Sequence, residues 1–176
     1  MGMRNRVNYT KKATSALIVA VLALPTFAGE TQQHPLFTIE RSKNANVVQY
    51  DVRVKESGKL AKKKPVIAYW IRPGKEEQIR KLTWVQRTFA YGFKAKLSKD
   101  RDSATLDLVA DIGRLIHVNQ VDGDYLASMR IDGVDSYIER LYIKSTGSGL
   151  STSVDYIDLH GKGIESGEEH YERFIP

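Results

Sequence analysis

The chain has 176 residues, no cysteine and a formal net charge of +6. Without cysteine there is no disulfide framework, no thiolate metal site and no thiol nucleophile. No nucleic-acid-binding motif accompanies the positive charge, so nucleic acid is not an expected partner.

The first residues carry Arg4, Arg6, Lys11 and Lys12 and no acid. An apolar run of 12 residues follows, Ala13 to Leu24, and then Pro25. A bilayer core needs roughly 20 apolar residues in a helix, so the run is too short to span it comfortably. Thr26-Phe27-Ala28 places small residues where a signal peptidase reads. This pattern predicts a cleavable secretory signal over residues 1–28; the alternative is an uncut membrane anchor. No later stretch approaches a membrane span, so no transmembrane segment is expected after processing. The expected location is the periplasm or the medium.

Removing residues 1–28 takes away four basic residues and no acid, leaving 23 basic and 21 acidic residues. Their distribution is uneven. Arg41 to Lys99 holds 16 basic and 4 acidic residues, whereas Asp100 to Pro176 holds 7 basic and 15 acidic. The two halves either complement each other in one domain or present a basic face to an anionic partner. That partner is a small molecule, a lipid or glycan, or an acidic protein.

Residues 29–35 read as a polar, flexible lead-in, and a single β-rich domain is expected over 36–176. Leu36 to Glu40 is a candidate first strand. Val48, Tyr50, Val52 and Val54 alternate with Gln49, Asp51 and Arg53, the period of a half-buried strand. Val66 to Ile71 is rich in β-branched and aromatic residues and is the next strand, stopped by Pro73-Gly74. Ile79, Leu82, Val85 and Phe89 then recur at helical spacing, with Gly92 at the end. They predict one amphipathic helix over Lys75 to Tyr91, with Glu76 and Glu77 in its first turn.

Short strands are predicted over Phe93 to Leu97, Ala104 to Val109, Arg114 to Val121 and Tyr125 to Ile131. Val134 to Lys144, Leu150 to Leu159 and His170 to Phe174 complete the set. Asp122-Gly123 and Asp132-Gly133 are hairpin signals. Ser145 to Gly149 reads as a flexible turn and His160 to Gly167 as a Gly-rich tail. Many short strands with regular turns predict a mostly β fold: an antiparallel β-barrel-like domain, or a sandwich, with one inserted amphipathic helix.

Several stretches carry a family pattern. They are Ile39 to Asn46 with Tyr50-Asp51, Pro65 to Ile71 with its Tyr69-Trp70 pair, and Val85-Gln86-Arg87 with Ala90-Tyr91-Gly92. The last is Val154 to Gly161. Together they resemble an uncharacterised family of small exported bacterial proteins, a domain of unknown function. The resemblance implies one domain and carries over no catalytic residue.

Two places are candidates for chemistry. Arg41, Asn44 and Asn46 crowd the approach to a core strand, Trp70 and Arg72 end a later one, and Gln86 and Arg87 sit on the predicted helix. A Gln on a core-facing stripe needs a partner. This set is either an internal polar network or the polar floor of a ligand pocket. Asp158 and His160 share a strand face, with Asp155 opposite and Glu165, Glu168, Glu169 and His170 beyond, which is either a solvated acidic tail or the start of an acid–base or metal site. No recognised ligand register appears there, so no metal or cofactor is expected. His117 alternates with Leu115 and Val121 and reads as a core histidine. No Gly-x-Ser-x-Gly elbow is present.

The expected function is non-catalytic binding of an anionic or amphipathic ligand or partner. One alternative is a metal-dependent or acid–base hydrolase at the Asp158/His160 end. The other is a structural or inhibitory partner of another envelope protein.

Overall fold

The computed structural model describes residues 31–42, 44–72, 78–110, 112–147 and 152–176, with their side chains except those of residues 44–46. Its elements run β1 (Thr31–Arg41), β2 (Asn44–Lys55), β3 (Val66–Arg72), β4 (Gln78–Lys81), α1 (Trp84–Phe89) and β5 (Phe93–Leu97). Then come β6 (Ser103–Leu108), β7 (Ile116–Val121), β8 (Asp124–Ile131), β9 (Val134–Thr146), β10 (Ser153–Gly163) and β11 (Glu169–Phe174).

The long strand β9 is the branch point. β10 pairs along one edge of β9 from Ser136 to Thr146. The opposite edge is divided: Val134 to Tyr137 pair with β8, and Arg140 to Ile143 pair in parallel with Thr38 to Arg41 of β1. Two wings therefore diverge, β1-β2-β3-β4 on one side and β8-β7-β6-β5 on the other. All pairings except β1 with β9 are antiparallel.

The wings fold over a shared core. Val48, Tyr50 and Val52 from β2 are buried with Leu106, Ile116 and Val118 from β6 and β7, and with Leu141, Ile143, Ile157 and Leu159 from the branch. Polar ties close one end: Tyr125 donates to the Gly58 carbonyl (2.9 Å), Leu60 N–H to the Arg101 carbonyl (3.0 Å), and Lys59 pairs with Asp102. The terminal strands β4 and β5 do not pair with each other. The fold is thus mostly β and barrel-like, but open along that seam.

The hairpin signals hold. Asp122-Gly123 and Asp132-Gly133 have positive φ at both positions, as tight turns with right-handed strand twist require. Other expectations shift. β1 begins at Thr31 and pairs from there with β2, so most of the 29–35 lead-in is strand. The Gly-rich stretch from His160 to Gly163 continues β10. Residues 73–77 and 148–151 lie outside the described residues, and with them Pro73-Gly74, the start of the predicted helix, Glu76, Glu77 and part of the flexible turn.

The predicted helix divides into two elements. Gln78 to Lys81 is β4, paired with β3 from Tyr69 to Arg72. Thr83 and Gln86 then form a reciprocal capping box, which fixes the helix start at Trp84. Gln86 therefore bonds locally instead of seeking a core partner. None of the six helical residues is buried. The apolar spacing reflects two successive elements, not one core-facing stripe. Gly92 does mark the end: a Cβ there would lie 1.7 Å from the Arg87 carbonyl oxygen, so only glycine lets the chain fold back so closely. His117 is exposed, while its neighbours Ile116 and Val118 are buried. The alternation in β7 is one residue out of phase with the core-histidine reading, which moves every side chain to the other face.

Candidate functional site

The candidate residues separate in space. Arg41, at the end of β1, places its guanidinium 4.8 Å from the centroid of the Tyr91 ring. Trp70 meets the same ring edge-on at 5.5 Å. Tyr91 thus joins two expected residues; in the sequence it marks only the end of the predicted helix and part of the family pattern. Its backbone is held from below: buried Tyr50 donates to the Tyr91 carbonyl at 2.7 Å. Burial pushes the Tyr50 hydroxyl far above its ordinary range and raises that of Tyr91, so both stay protonated donors. Arg41 Nε and Trp70 Nε1 are buried with no hydrogen-bond partner among the described residues.

Of the rest, Asn44 and Asn46 sit in β2, but their side chains lie outside those described. Arg72 is exposed at the end of β3, opposite Gln78. Arg87 is exposed in the last turn of α1, where a cation suits the helix dipole. It does not join Arg41 and Trp70; it stands on the rim of a cleft.

That cleft fills the open seam. It has a volume of about 740 Å³ and runs between Lys64 to Tyr69 on the β3 side and Tyr91 to Ala95 on the β5 side. Ile67, Ala68, Leu82, Phe93 and Val109 supply apolar surface. Lys64, Lys81, Arg87 and Lys94 stand around it, all exposed, and no carboxylate among the described residues lines it. None of these four cations forms an ion pair among the described residues. Tyr91 belongs both to the cleft wall and to the Arg41–Trp70 cluster. The basic excess of Arg41 to Lys99 is therefore gathered in part around one apolar opening. No local motif announces it, because its walls come from strands that are distant in sequence.

The Asp158/His160 end is a chain of satisfied polar groups. Asp158, only 7 % exposed, accepts two bonds from Arg173 (2.8 and 3.0 Å) and one from the Tyr171 hydroxyl (2.8 Å). Arg173 above all, with Tyr171, holds its carboxyl below the ordinary range. The Arg173 guanidinium also lies 3.8 Å from the Tyr156 ring centroid. His160 packs on the Tyr171 ring at 5.2 Å and meets Arg140 Nη2 at 3.1 Å. A guanidinium can only donate, so His160 Nε2 accepts and the ring is neutral. Asp155 accepts from Thr146 instead. Asp135, Glu165, Glu168 and His170 border a second cleft of about 570 Å³. Among the described residues no three His, Asp or Glu are placed to hold one metal ion.

This chain of groups sets a pH dependence. Partial burial, and then Arg140, lower the His160 pKa from its ordinary 6.5. Between those two values the unfolded chain binds a proton that the folded one does not, so stability falls as pH drops below about 6.5. A second loss follows below 3.8, as the Asp158 carboxylate loses its partnership with Arg173. Urea unfolding across pH is expected to show both limbs, with His160→Gln removing the first and sparing the second. A single limb unchanged in that variant would contradict the arrangement.

The profile of a family described as a domain of unknown function, DUF4833, matches residues 37–173. The chain belongs to the DUF4833 family. No curated protein and no solved structure matches it. The matched span runs from β1 into β11, so the DUF4833 domain takes in both wings, the seam cleft and the Asp158 chain. The apolar run Ala13 to Leu24 lies outside it.

Proposed function

We propose that this DUF4833 protein is a non-catalytic binding protein that works outside the cytoplasm and holds an amphipathic, anionic small molecule in the seam cleft. One observation carries the reading: an apolar opening of about 740 Å³ ringed by four cations that, among the described residues, have no ion-pair partner and no acid beside them. Ligand sites commonly fall between ~300 and ~1,000 Å³, with apolar walls and a few placed polar groups. Ile67, Ala68, Phe93 and Val109 cover the apolar body of the ligand. Arg87 and Lys94 meet its anionic end, Arg87 through a planar fork suited to a carboxylate or phosphate. Arg41 and Trp70 act indirectly, by setting the Tyr91 ring in the wall. Export is supported by the basic, apolar and small-residue succession of residues 1–28, and a cut after Ala28 leaves β1 whole.

The Asp158/His160 end supports no stronger enzymatic reading. A carboxylate held by an arginine at lowered pKa is a poor proton acceptor. A second binding reading has its own observation. Among the described residues, Val66 to Ala68 of β3 and Phe93 to Leu97 of β5 each pair with a strand along one edge only. An extended segment of another protein would then close the seam as an added strand.

A dansyl-labelled fatty acid tests the main reading. It is expected to bind the wild-type protein, and an uncharged fatty alcohol of equal length to compete at least tenfold more weakly than the free acid. Arg87→Glu with Lys94→Glu is expected to weaken the acid about tenfold and leave the alcohol nearly unchanged, since ~1.4 kcal/mol corresponds to a factor of ten. Equal binding of acid and alcohol, or no binding of either, would overturn it. In the latter case, crosslinking of a protein to β3 or β5 in intact cells would favour the added strand.

A further inference from the structure

The segment between the wings ends in an unusual surface. Ile79 of β4 is 69 % exposed, and Trp84, Val85 and Phe89 of α1 are 66, 57 and 64 % exposed. Scattered apolar residues on a surface need no explanation, but a contiguous group does. Here Val85 and Phe89 are one helical turn apart, and the Trp84 and Phe89 rings meet edge to face at 6.0 Å. A six-residue helix is too short to hold itself in water, and this one buries no residue against the domain. Its local supports are the Thr83–Gln86 capping box and the Gly92 fold-back. Those fix the helix with its aromatic side chains outward.

Along the described segment that carries this knob the charge has one sign. From Gln78 to Leu97 the chain carries Arg80, Lys81, Arg87, Lys94 and Lys96 and no acid. All five are exposed, and none forms an ion pair among the described residues. The nearest acids in sequence, Glu76 and Glu77, lie outside the described residues.

We infer that α1 and β4 form a docking surface for an anionic phospholipid bilayer, with Trp84, Val85 and Phe89 entering the headgroup layer and the surrounding cations meeting lipid phosphates. Each element of the surface suits that occupant. Tryptophan settles at the headgroup level, where its ring is apolar and its N–H stays wet. Long basic side chains keep their stems on apolar surface and their charges in the polar layer. Basic residues near an anionic leaflet each add attraction that falls off within a Debye length. Among the described residues the surface carries cations and no carboxylate, which complements lipid phosphates, and its aromatic side chains suit the headgroup layer. Leu82, Arg87 and Thr88 also border the seam cleft, so docking sets the cleft mouth beside the lipid. The docking surface stands whether or not the cleft holds a ligand.

Vesicle binding decides it. The two tryptophans differ: Trp70 is 9 % exposed and Trp84 is 66 % exposed, so Trp84 reports contact with lipid by a blue shift. Wild-type protein is expected to co-sediment with phosphatidylcholine vesicles containing phosphatidylglycerol at least tenfold more strongly than with phosphatidylcholine alone, and to show the shift. Trp84→Ser with Phe89→Ser is expected to lose at least tenfold in binding, with an unchanged unfolding midpoint. Arg80→Glu with Lys96→Glu, both outside the cleft, is expected to lose binding to the anionic vesicles only. Trp84→Phe keeps binding but removes the shift. All variants carry the same N-terminus as the wild type, so any retained apolar run contributes equally. Unchanged binding in the Trp84/Phe89 variant, equal binding to both vesicle types, or no vesicle binding would overturn the inference. A fatty-acid site that survives in the Trp84/Phe89 variant would separate this surface from the cleft.

Discussion

Gly161→Ala is expected to destabilise the protein by about 3 kcal/mol, at the upper end of what overpacking a core costs. Gly161 is buried in β10 where the register with β9 shifts, opposite Ile138. A Cβ at this position would lie 2.2 Å from the Tyr137 carbonyl oxygen and 2.9 Å from Ile131 Cδ1. The carbonyl has little room to retreat. Tyr137 is paired with Ser128 of β8 on its other side, and Ile131 is fully buried at the end of β8. The strain therefore falls on the branch that joins both wings, and relief requires β10 to leave β9. Gly123→Ala is the control. It has nothing within 4 Å, but its φ of +94° is unfavourable for alanine, so it is expected to cost only about 1 kcal/mol. Urea unfolding of both variants checks the difference. A cost below about 1 kcal/mol at Gly161 would mean that the branch is not packed as described.

Ala95→Trp is expected to abolish most ligand binding without loss of stability. Ala95 shares a strand face with Phe93 and Leu97 and pairs with Leu106, which is fully buried. By alternation it points inward. It is exposed all the same, because the seam is open on that side and Ala95 lines the cleft. A Trp side chain at this position grows into the opening and not into the packed core. Affinity for the dansyl-labelled fatty acid is expected to fall roughly 30- to 100-fold, or about 2–3 kcal/mol. The urea midpoint is expected to stay close to wild type. Full retention of binding would place the ligand elsewhere.

Local pattern carried much of this fold. The alternation of Val48, Tyr50, Val52 and Val54 returned a buried strand face, and the two Asp-Gly pairs returned tight turns with positive φ. These signals rest on residues close in sequence. The errors arose where a local pattern had a non-local cause. Ile79, Leu82, Val85 and Phe89 have helical spacing, yet of these only Leu82 is buried. Spacing alone does not report whether a stripe meets a core, nor that the Thr83–Gln86 capping box splits the segment. His160 to Gly167 reads as a Gly-rich tail because glycine weakens strands; here Gly161 is needed for close approach to Tyr137.

The candidate site was legible in part for the same reason. Arg41 and Trp70 were placed together by strand ends that the sequence marks well. Tyr91 stood only as the last residue of the predicted helix, and the cleft was hidden altogether. Its floor comes from β3, β5 and Val109, and what makes it a cleft is a pairing that is absent between the last strands of two wings. The sequence carried only its electrostatic trace, the basic excess from Arg41 to Lys99.

The central claim is that the seam between β3 and β5 is the ligand site. Amide chemical-shift mapping of the nitrogen-labelled protein, titrated with a long-chain fatty acid, tests it most directly. The account predicts saturable shifts confined to Ile67 to Tyr69, Leu82, Tyr91 to Ala95 and Val109, lost in Ala95→Trp. Shifts centred on Asp158 and His160 or on the Gly133–His170 cleft, with the seam silent, would contradict it.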